Sequence, residues 1–262
     1  MAYKLGRKSA IHNLTTMRQA LAMARVLDTL GDPPPHPMDY CDAVDIAVGG
    51  DNNWGMMMNN SVGDCTFADT AHQIMVHTAN VGSIFIPTDT EVISAYSACT
   101  GYNPVNPASD QGAAEVTVCE FMIKTGLAGH KSEATAPIDP TNIKHLMWGV
   151  QLFGAVRIGI TLPASAETQF DNNQSWDIVQ GSQIVGGHDV CITYYETMAN
   201  GTPMWYVCTW GRGRQPMTDA FRNLYVEEAH GELYMDWLTT WGVAPSGFNT
   251  KQLLSDLTII SN

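Results

Sequence analysis

The 262-residue chain lacks several features that would place it in a familiar class. No uninterrupted apolar run reaches the roughly 18 residues that a membrane-spanning helix needs. The six cysteines form no CxxC pair, which argues against a zinc site and a dense disulfide framework. Basic residues are scarce: 13 Lys and Arg against 26 Asp and Glu give a formal net charge of −13. This balance argues against partners such as nucleic acids or anionic membranes.

The composition that remains is that of a globular protein, with 45% hydrophobic and 15% charged residues. The N-terminus is positively charged but no apolar block follows it, so it does not predict a secretory signal. Sparse, unpaired cysteines favour reduced thiols in a cytoplasmic protein, with scattered disulfides in a secreted protein as the alternative. We predict no cofactor and no metal.

Helical patterns come first along the chain and strand patterns follow. The spacing of apolar residues predicts helices over 10–30, 65–80, 90–100, 113–125 and 141–153, and strands over 155–162, 188–196 and 204–210. Ala199-Asn200-Gly201 indicates a hairpin between the last two strands. This order predicts an α+β protein: an N-terminal helix and extended arm over 1–50, then a domain over 51–262. Within that domain we expect a helical lobe (about 51–153), an antiparallel sheet or barrel lobe (about 154–262), and the active site between them.

Cys65 lies at the predicted start of the helix over 65–80. Asp64 is a suitable N-cap, and Gly63 before it permits a sharp turn into the helix. A thiol attacks carbonyl groups as a thiolate, and its pKa falls at a helix N-terminus beside an imidazolium. We therefore interpret Cys65 as a nucleophile, against the alternative of a buried structural cysteine.

His188 and Asn59 supply the other groups that thiol chemistry needs. His188 follows Gly186 and Gly187, whose missing side chains let another segment approach the backbone closely, and it opens an apolar strand. Asn59 could donate its amide to a developing oxyanion, together with the Cys65 N–H; losing one such donor typically costs about 2.7–4 kcal/mol of transition-state stabilisation. The alternatives are a histidine without catalytic role and a loop asparagine in an Asx-turn.

Several segments, in this order and spacing, resemble the papain-like cysteine peptidase superfamily, and more narrowly a group of largely uncharacterised bacterial and phage proteins of that fold. The matching segments are Asn59–Thr66, Asp110-Gln111-Gly112, Lys124-Thr125-Gly126, Gly186–Val190, Thr209–Gly211 and Glu227-Glu228-Ala229. The resemblance implies a papain-like fold, a peptide or protein substrate, Cys65 as nucleophile, His188 as general base and Asn59 as the oxyanion amide. It also implies substrate-binding positions at Gly63, Asp64, Gln111, Gly112, Gly187 and Trp210.

One position departs from the family pattern. Papain-like peptidases carry an asparagine two residues before the tryptophan, and this chain has Cys208 there. Thr209, a backbone carbonyl or Asp189 are the alternatives for orienting the imidazole. Because a group that orients the imidazole can raise the catalytic rate by orders of magnitude, its loss would leave the enzyme inactive.

The second hypothesis is therefore a catalytically inactive papain-fold module with a structural or binding role, of which a phage or virion component with protein assembly partners is one form. Cys208 and the absence of a propeptide-like inhibitory region in the sequence favour it. Fast alkylation of Cys65 near pH 6 would favour the enzyme. Alkylation of Cys65 no faster than that of a free thiol would favour the inactive module.

Three other groups of residues have simpler interpretations. His72 and His77 are five apart and do not share a helix face, which argues against a metal pair. Residues 211–214 are interpreted as a turn. We expect a solvated acidic face from four residues, with an acidic cleft that prefers basic substrates as the alternative: Asp219, Glu227, Glu228 and Glu232.

Overall fold

A computed structural model describes residues 3–35, 37, 39–237 and 244–247 of the chain. Its α-helices are α1 (Leu14–Asp28), α2 (Cys41–Val48), α3 (Cys65–Asn80), α4 (Asp89–Thr100), α5 (Glu115–Lys124), α6 (Ile143–Phe153), α7 (Ala164–Asp171) and α8 (Asp219–Tyr225). Its strands are β1 (Ser132–Ile138), β2 (Val156–Pro163), β3 (Ile184–Thr197), β4 (Pro203–Thr209), β5 (Arg212–Thr218) and β6 (Val226–Tyr234). Predicted features over 238–243 and 248–262 lie outside the described residues.

The six strands form one antiparallel sheet in the order β1-β6-β2-β3-β4-β5. The predicted hairpin joins β3 to β4, and Gly201 in its turn has a φ of 83°, a value that glycine adopts without strain. The sheet is open, with β1 and β5 at its edges, rather than closed into a barrel. The division of the chain near residues 50 and 153 stays a prediction.

Helix α3 packs against β3 and brings the start of the helix to the sheet. Every residue from Cys65 to Thr78 is buried, including the polar side chains of Asp69, His72 and Gln73. The helix is therefore enclosed on all sides, although its sequence has the amphipathic pattern of a helix with one buried face. The other predicted helices are confirmed within a few residues at each end.

Arg157 on β2 joins the sheet to α3 through buried ion pairs. Its guanidinium lies 2.7 Å from a carboxylate oxygen of Asp189, 3.1 Å from one of Asp69 and 2.9 Å from one of Glu232. The side chains of all four residues are 0% exposed. The arginine also donates to the Thr66 carbonyl, so it fixes the first turn of α3 next to Cys65.

Two sequence interpretations are wrong. Residues 211–214 are not simply a turn, because Arg212 begins β5 and pairs with Thr209 of β4. The four acidic residues do not share a solvated face: Glu232 is 0% and Glu228 8% exposed, and each pairs with a buried arginine, whereas the Glu227 side chain is half exposed.

No helix among the described residues is both long and apolar enough to cross a membrane.

Candidate active site

Cys65 is the first residue of α3, and its side chain is buried. Asp64 occupies the N-cap position as predicted, but its side chain makes no capping hydrogen bond. Burial raises the pKa of the Asp64 carboxyl to about 8.

His188 is held in place by two residues at the end of β4. Its Nε2 lies 2.8 Å from Thr209 Oγ1, and its ring stacks on Trp210 with centroids 4.7 Å apart and an interplanar angle of 20°. Its other ring nitrogen, Nδ1, is buried and has no hydrogen-bond partner within the described residues. Of the three alternatives for an orienting group, Thr209 is the one in contact with the imidazole.

Cys208, which replaces the family's asparagine, points elsewhere. It pairs in the sheet with Cys191, and its thiol interacts with the buried imidazole of His72. Burial raises the pKa of the Cys208 thiol, but the contacts with Cys191 and His72 outweigh it and lower the pKa to about 7. His72 and His77 bind separate backbone carbonyls, those of Gly55 and Phe153, and not a common site.

An N-terminal segment, residues 3–8, lies across the site; we name it the covering segment. Arg7 forms a parallel bridge with Ala113, and its N–H donates to the Gly187 carbonyl at 3.1 Å. The Gly6 carbonyl accepts from the Ala113 N–H at 2.9 Å. The chain is therefore bound on both sides, by the residue before His188 and by the residue after Gly112. This covering was not expected from the sequence.

Glycines on both sides let the covering segment come close. A Cβ added to Gly6 would lie 1.7 Å from the Gly63 carbonyl oxygen, and one added to Gly112 would lie 1.7 Å from the Gly6 carbonyl oxygen. A Cβ on Gly187 would lie 2.3 Å from the Arg7 carbonyl oxygen. Three of the positions that the family resemblance marks as substrate-binding thus contact a bound peptide backbone.

Three further predicted positions, Asn59, Trp210 and Gln111, also border this segment. Asn59 is buried, and its Nδ2 donates to the Lys4 carbonyl at 2.9 Å and to the Val62 carbonyl at 3.2 Å. Trp210 stacks on Tyr3 with centroids 4.0 Å apart. Gln111 lines a cavity together with the segment, while its amide donates to the Ala108 carbonyl.

Burial favours the neutral forms of both the Cys65 thiol and the His188 imidazole. Burial, followed by the charge of Asp189, raises the pKa of the Cys65 thiol, although the backbone N–H groups of Gly6 and Asp189 act in the opposite direction. Burial lowers the pKa of His188 to about 3. Burial is the largest cause of both shifts, so we expect that uncovering the site would move both pKa values back towards their ordinary ranges.

Solved structures with a similar fold are cysteine proteases. Xylellain, a cysteine protease from Xylella fastidiosa, is 13% identical; the match covers 89% of this chain and 98% of that one, with a TM-score of 0.56. Procathepsin B S9 from Trypanosoma congolense is 11% identical over 88% of this chain and 86% of that one, with a TM-score of 0.55. A recombinant stem bromelain precursor is 15% identical over 88% and 77%, with a TM-score of 0.52.

No family model matches the chain, and no curated protein sequence matches it either. The structural similarities confirm the predicted α+β class and the resemblance to papain-like cysteine peptidases. At these identities they show the fold alone, and activity has to be argued from the site.

Proposed function

We propose that the chain is a papain-like thiol hydrolase that acts on peptide bonds through Cys65 and His188. The observation that supports it most is the covering segment, a peptide backbone bound directly over the Cys65 thiol. A groove that binds a backbone by hydrogen bonds at Gly187 and Ala113 is able to bind a substrate backbone in the same place.

The proposed reaction uses the ring nitrogen that Thr209 does not engage. In the tautomer with the proton on Nε2, His188 donates a hydrogen bond to Thr209 Oγ1, and Nδ1 is then free to accept the Cys65 proton. The thiolate attacks the carbonyl carbon, the amine leaves with the proton from His188, and water then hydrolyses the thioester. Asn59 Nδ2, once released from the Lys4 carbonyl, donates to the oxyanion together with the Cys65 N–H.

The inactive binding module remains the second candidate, because Cys65 and His188 make no hydrogen bond to each other in the covered state. Its proposed phage or virion setting, and the cytoplasmic location, receive no support from the similar structures.

We expect Cys65→Ala to abolish hydrolysis of a fluorescein-labelled unfolded protein while leaving the thermal transition unchanged within a few degrees. The assay is made in a Gly6→Ala background, where the added methyl group would collide with the Gly63 carbonyl and is expected to displace the covering segment. The matched control is Cys99→Ala, which removes a partly exposed thiol of α4 and should keep full turnover.

Turnover that persists in the Cys65→Ala protein would discard the mechanism. Absence of turnover in both proteins and in their common parent would favour the binding module.

A further inference from the structure

The side chain of Arg7 occupies a buried acidic pocket beside the candidate active site. Its Nε lies 3.1 Å from a carboxylate oxygen of Glu115, its Nη2 2.6 Å from one of Glu228, and its Nη1 2.9 Å from one of Glu227. Arg7 is only 7% exposed, and Glu115 and Glu228 are 0% and 8% exposed. His230 closes the far side, with Nε2 3.5 Å from Glu228 and 3.8 Å from Glu115.

We propose that this arginine pocket, formed by Glu115, Glu227, Glu228 and Gly159, selects an arginine side chain in a peptide substrate, and that Arg7 occupies it only while the covering segment is bound. The inference rests on the proposed function, because it assigns a substrate class to the same groove. For Glu227 and Glu228 it favours the alternative of an acidic cleft for a basic side chain, whereas Glu232 and Asp219 pair with Arg157 and Arg222 instead.

The arginine pocket lies close to Cys65, along the groove that holds the covering segment. The Arg7 N–H donates to the carbonyl of Gly187, the residue immediately before His188, and Gly6 lies next to the Cys65 thiol. A peptide bound along the same groove would therefore present one side chain to the arginine pocket close to its reacting carbonyl. The pocket belongs to the groove and is not a remote ion-pair site.

The arginine pocket has room for a guanidinium group. Gly159 lies on the pocket wall, where an added Cβ would be 2.1 Å from Arg7 Nε and 2.1 Å from Glu115 Oε1. The missing side chain makes room for a planar guanidinium between the wall and the carboxylates. A smaller or apolar side chain would leave these carboxylates without a donor, which is costly in a buried site.

The carboxylates of the arginine pocket favour a positively charged side chain. Three carboxylates surround one guanidinium, and Glu115 Oε2 is buried with no hydrogen-bond partner among the described residues. Burial raises the pKa of Glu115, so that carboxyl can be neutral, yet Glu227 and Glu228 still provide two negative charges. Removing Arg7 without a replacement would leave those charges unpaired in a nearly dry site, and an arginine, with its five fixed donors, matches them better than lysine.

The test measures binding without catalysis, in the 262-residue chain carrying Gly6→Ala and Cys65→Ala. Two acetylated heptapeptides copy residues 3–9; one keeps arginine at the position of Arg7, and the other has citrulline, which has nearly the same shape but no charge. We expect calorimetry to show roughly 30-fold or tighter binding of the arginine peptide, because removing one member of a buried charge pair costs at least that much.

Glu227→Gln in the same background is the matched variant. Its side chain is 48% exposed, so the fold tolerates the change, and the preference for arginine should fall. Glu228→Gln should reduce the preference further, with a thermal melt to verify folding. Equal binding of the two peptides, or no binding of either, would overturn the arginine pocket.

The experiments distinguish failure of the arginine pocket from failure of the proposed hydrolase. Selective binding of the arginine peptide by a protein whose Cys65-containing parent hydrolyses nothing would retain the pocket and reject the hydrolase. Hydrolysis by that parent of arginine and citrulline peptides at equal rates, with equal binding, would retain the hydrolase and reject the pocket.

Discussion

Gly6→Ala should expose Cys65 and raise its rate of alkylation by iodoacetamide at least tenfold, which corresponds to about 1.4 kcal/mol of local opening free energy. In the parent protein the thiol lies under the covering segment, so a reagent reaches it only when that segment leaves. An alanine Cβ at residue 6 would lie 1.7 Å from the Gly63 carbonyl oxygen, and that oxygen belongs to the loop that precedes the buried helix α3. We expect the covering segment to move rather than the Gly63 loop, because that loop leads directly into a helix whose residues from Cys65 to Thr78 are all buried.

Mass spectrometry of the Cys65 peptide measures this rate, and Cys99, a partly exposed thiol, serves as an internal reference. Lys8→Ala is the matched control: its side chain is exposed, and the variant keeps the backbone N–H that donates to the Ala113 carbonyl. Similar alkylation of Cys65 in the parent, Lys8→Ala and Gly6→Ala proteins would show that the segment does not protect the thiol.

Arg157→Met should lower the free energy of unfolding by about 3–5 kcal/mol, the usual cost of removing one partner from a buried ion pair. The methionine fills much of the space of the arginine stem but leaves Asp69, Asp189 and Glu232 without their shared cation. Some of the loss will be recovered if these carboxyls take up protons, so the destabilisation should be smaller at pH 5 than at pH 8.

Urea denaturation followed by tryptophan fluorescence gives the unfolding free energies. The matched control is Lys144→Met, which breaks an exposed ion pair with Asp32 and should cost no more than about 1 kcal/mol. A similar small loss for both variants would mean that the buried cluster contributes no more than a surface pair.

The sequence predicted the elements whose signals are local. Helix α3 has the predicted bounds, Cys65 to Asn80, and the Asn-Gly hairpin between β3 and β4 is confirmed. Strand β5 was missed because its charged residues give no apolar alternation; Arg212 and Arg214 are instead paired with polar and acidic partners in other segments. Strand β1 was missed as well, and its partner β6 is about 90 residues away in sequence.

In the candidate site, too, the local feature was predicted from the sequence and the contact between distant segments was not. The paired glycines before His188 were expected to let another segment approach closely, and a Cβ on Gly187 would indeed collide with the Arg7 carbonyl oxygen. That residues 3–8 are the approaching segment could not be predicted, because Arg7 is held by ion pairs with Glu115, Glu227 and Glu228 that no local pattern indicates. Those contacts span more than 100 residues of sequence.

The pH profile of Cys65 alkylation, compared between Gly6→Ala and Gly6→Ala/His188→Ala, tests most directly whether the two residues form a reactive pair. If they do, the first protein should show a thiol pKa well below the ordinary value of about 8.5, and the second should return to that value or above it, since the imidazolium that stabilises the thiolate is gone. Identical profiles with an ordinary thiol pKa in both proteins would contradict the account.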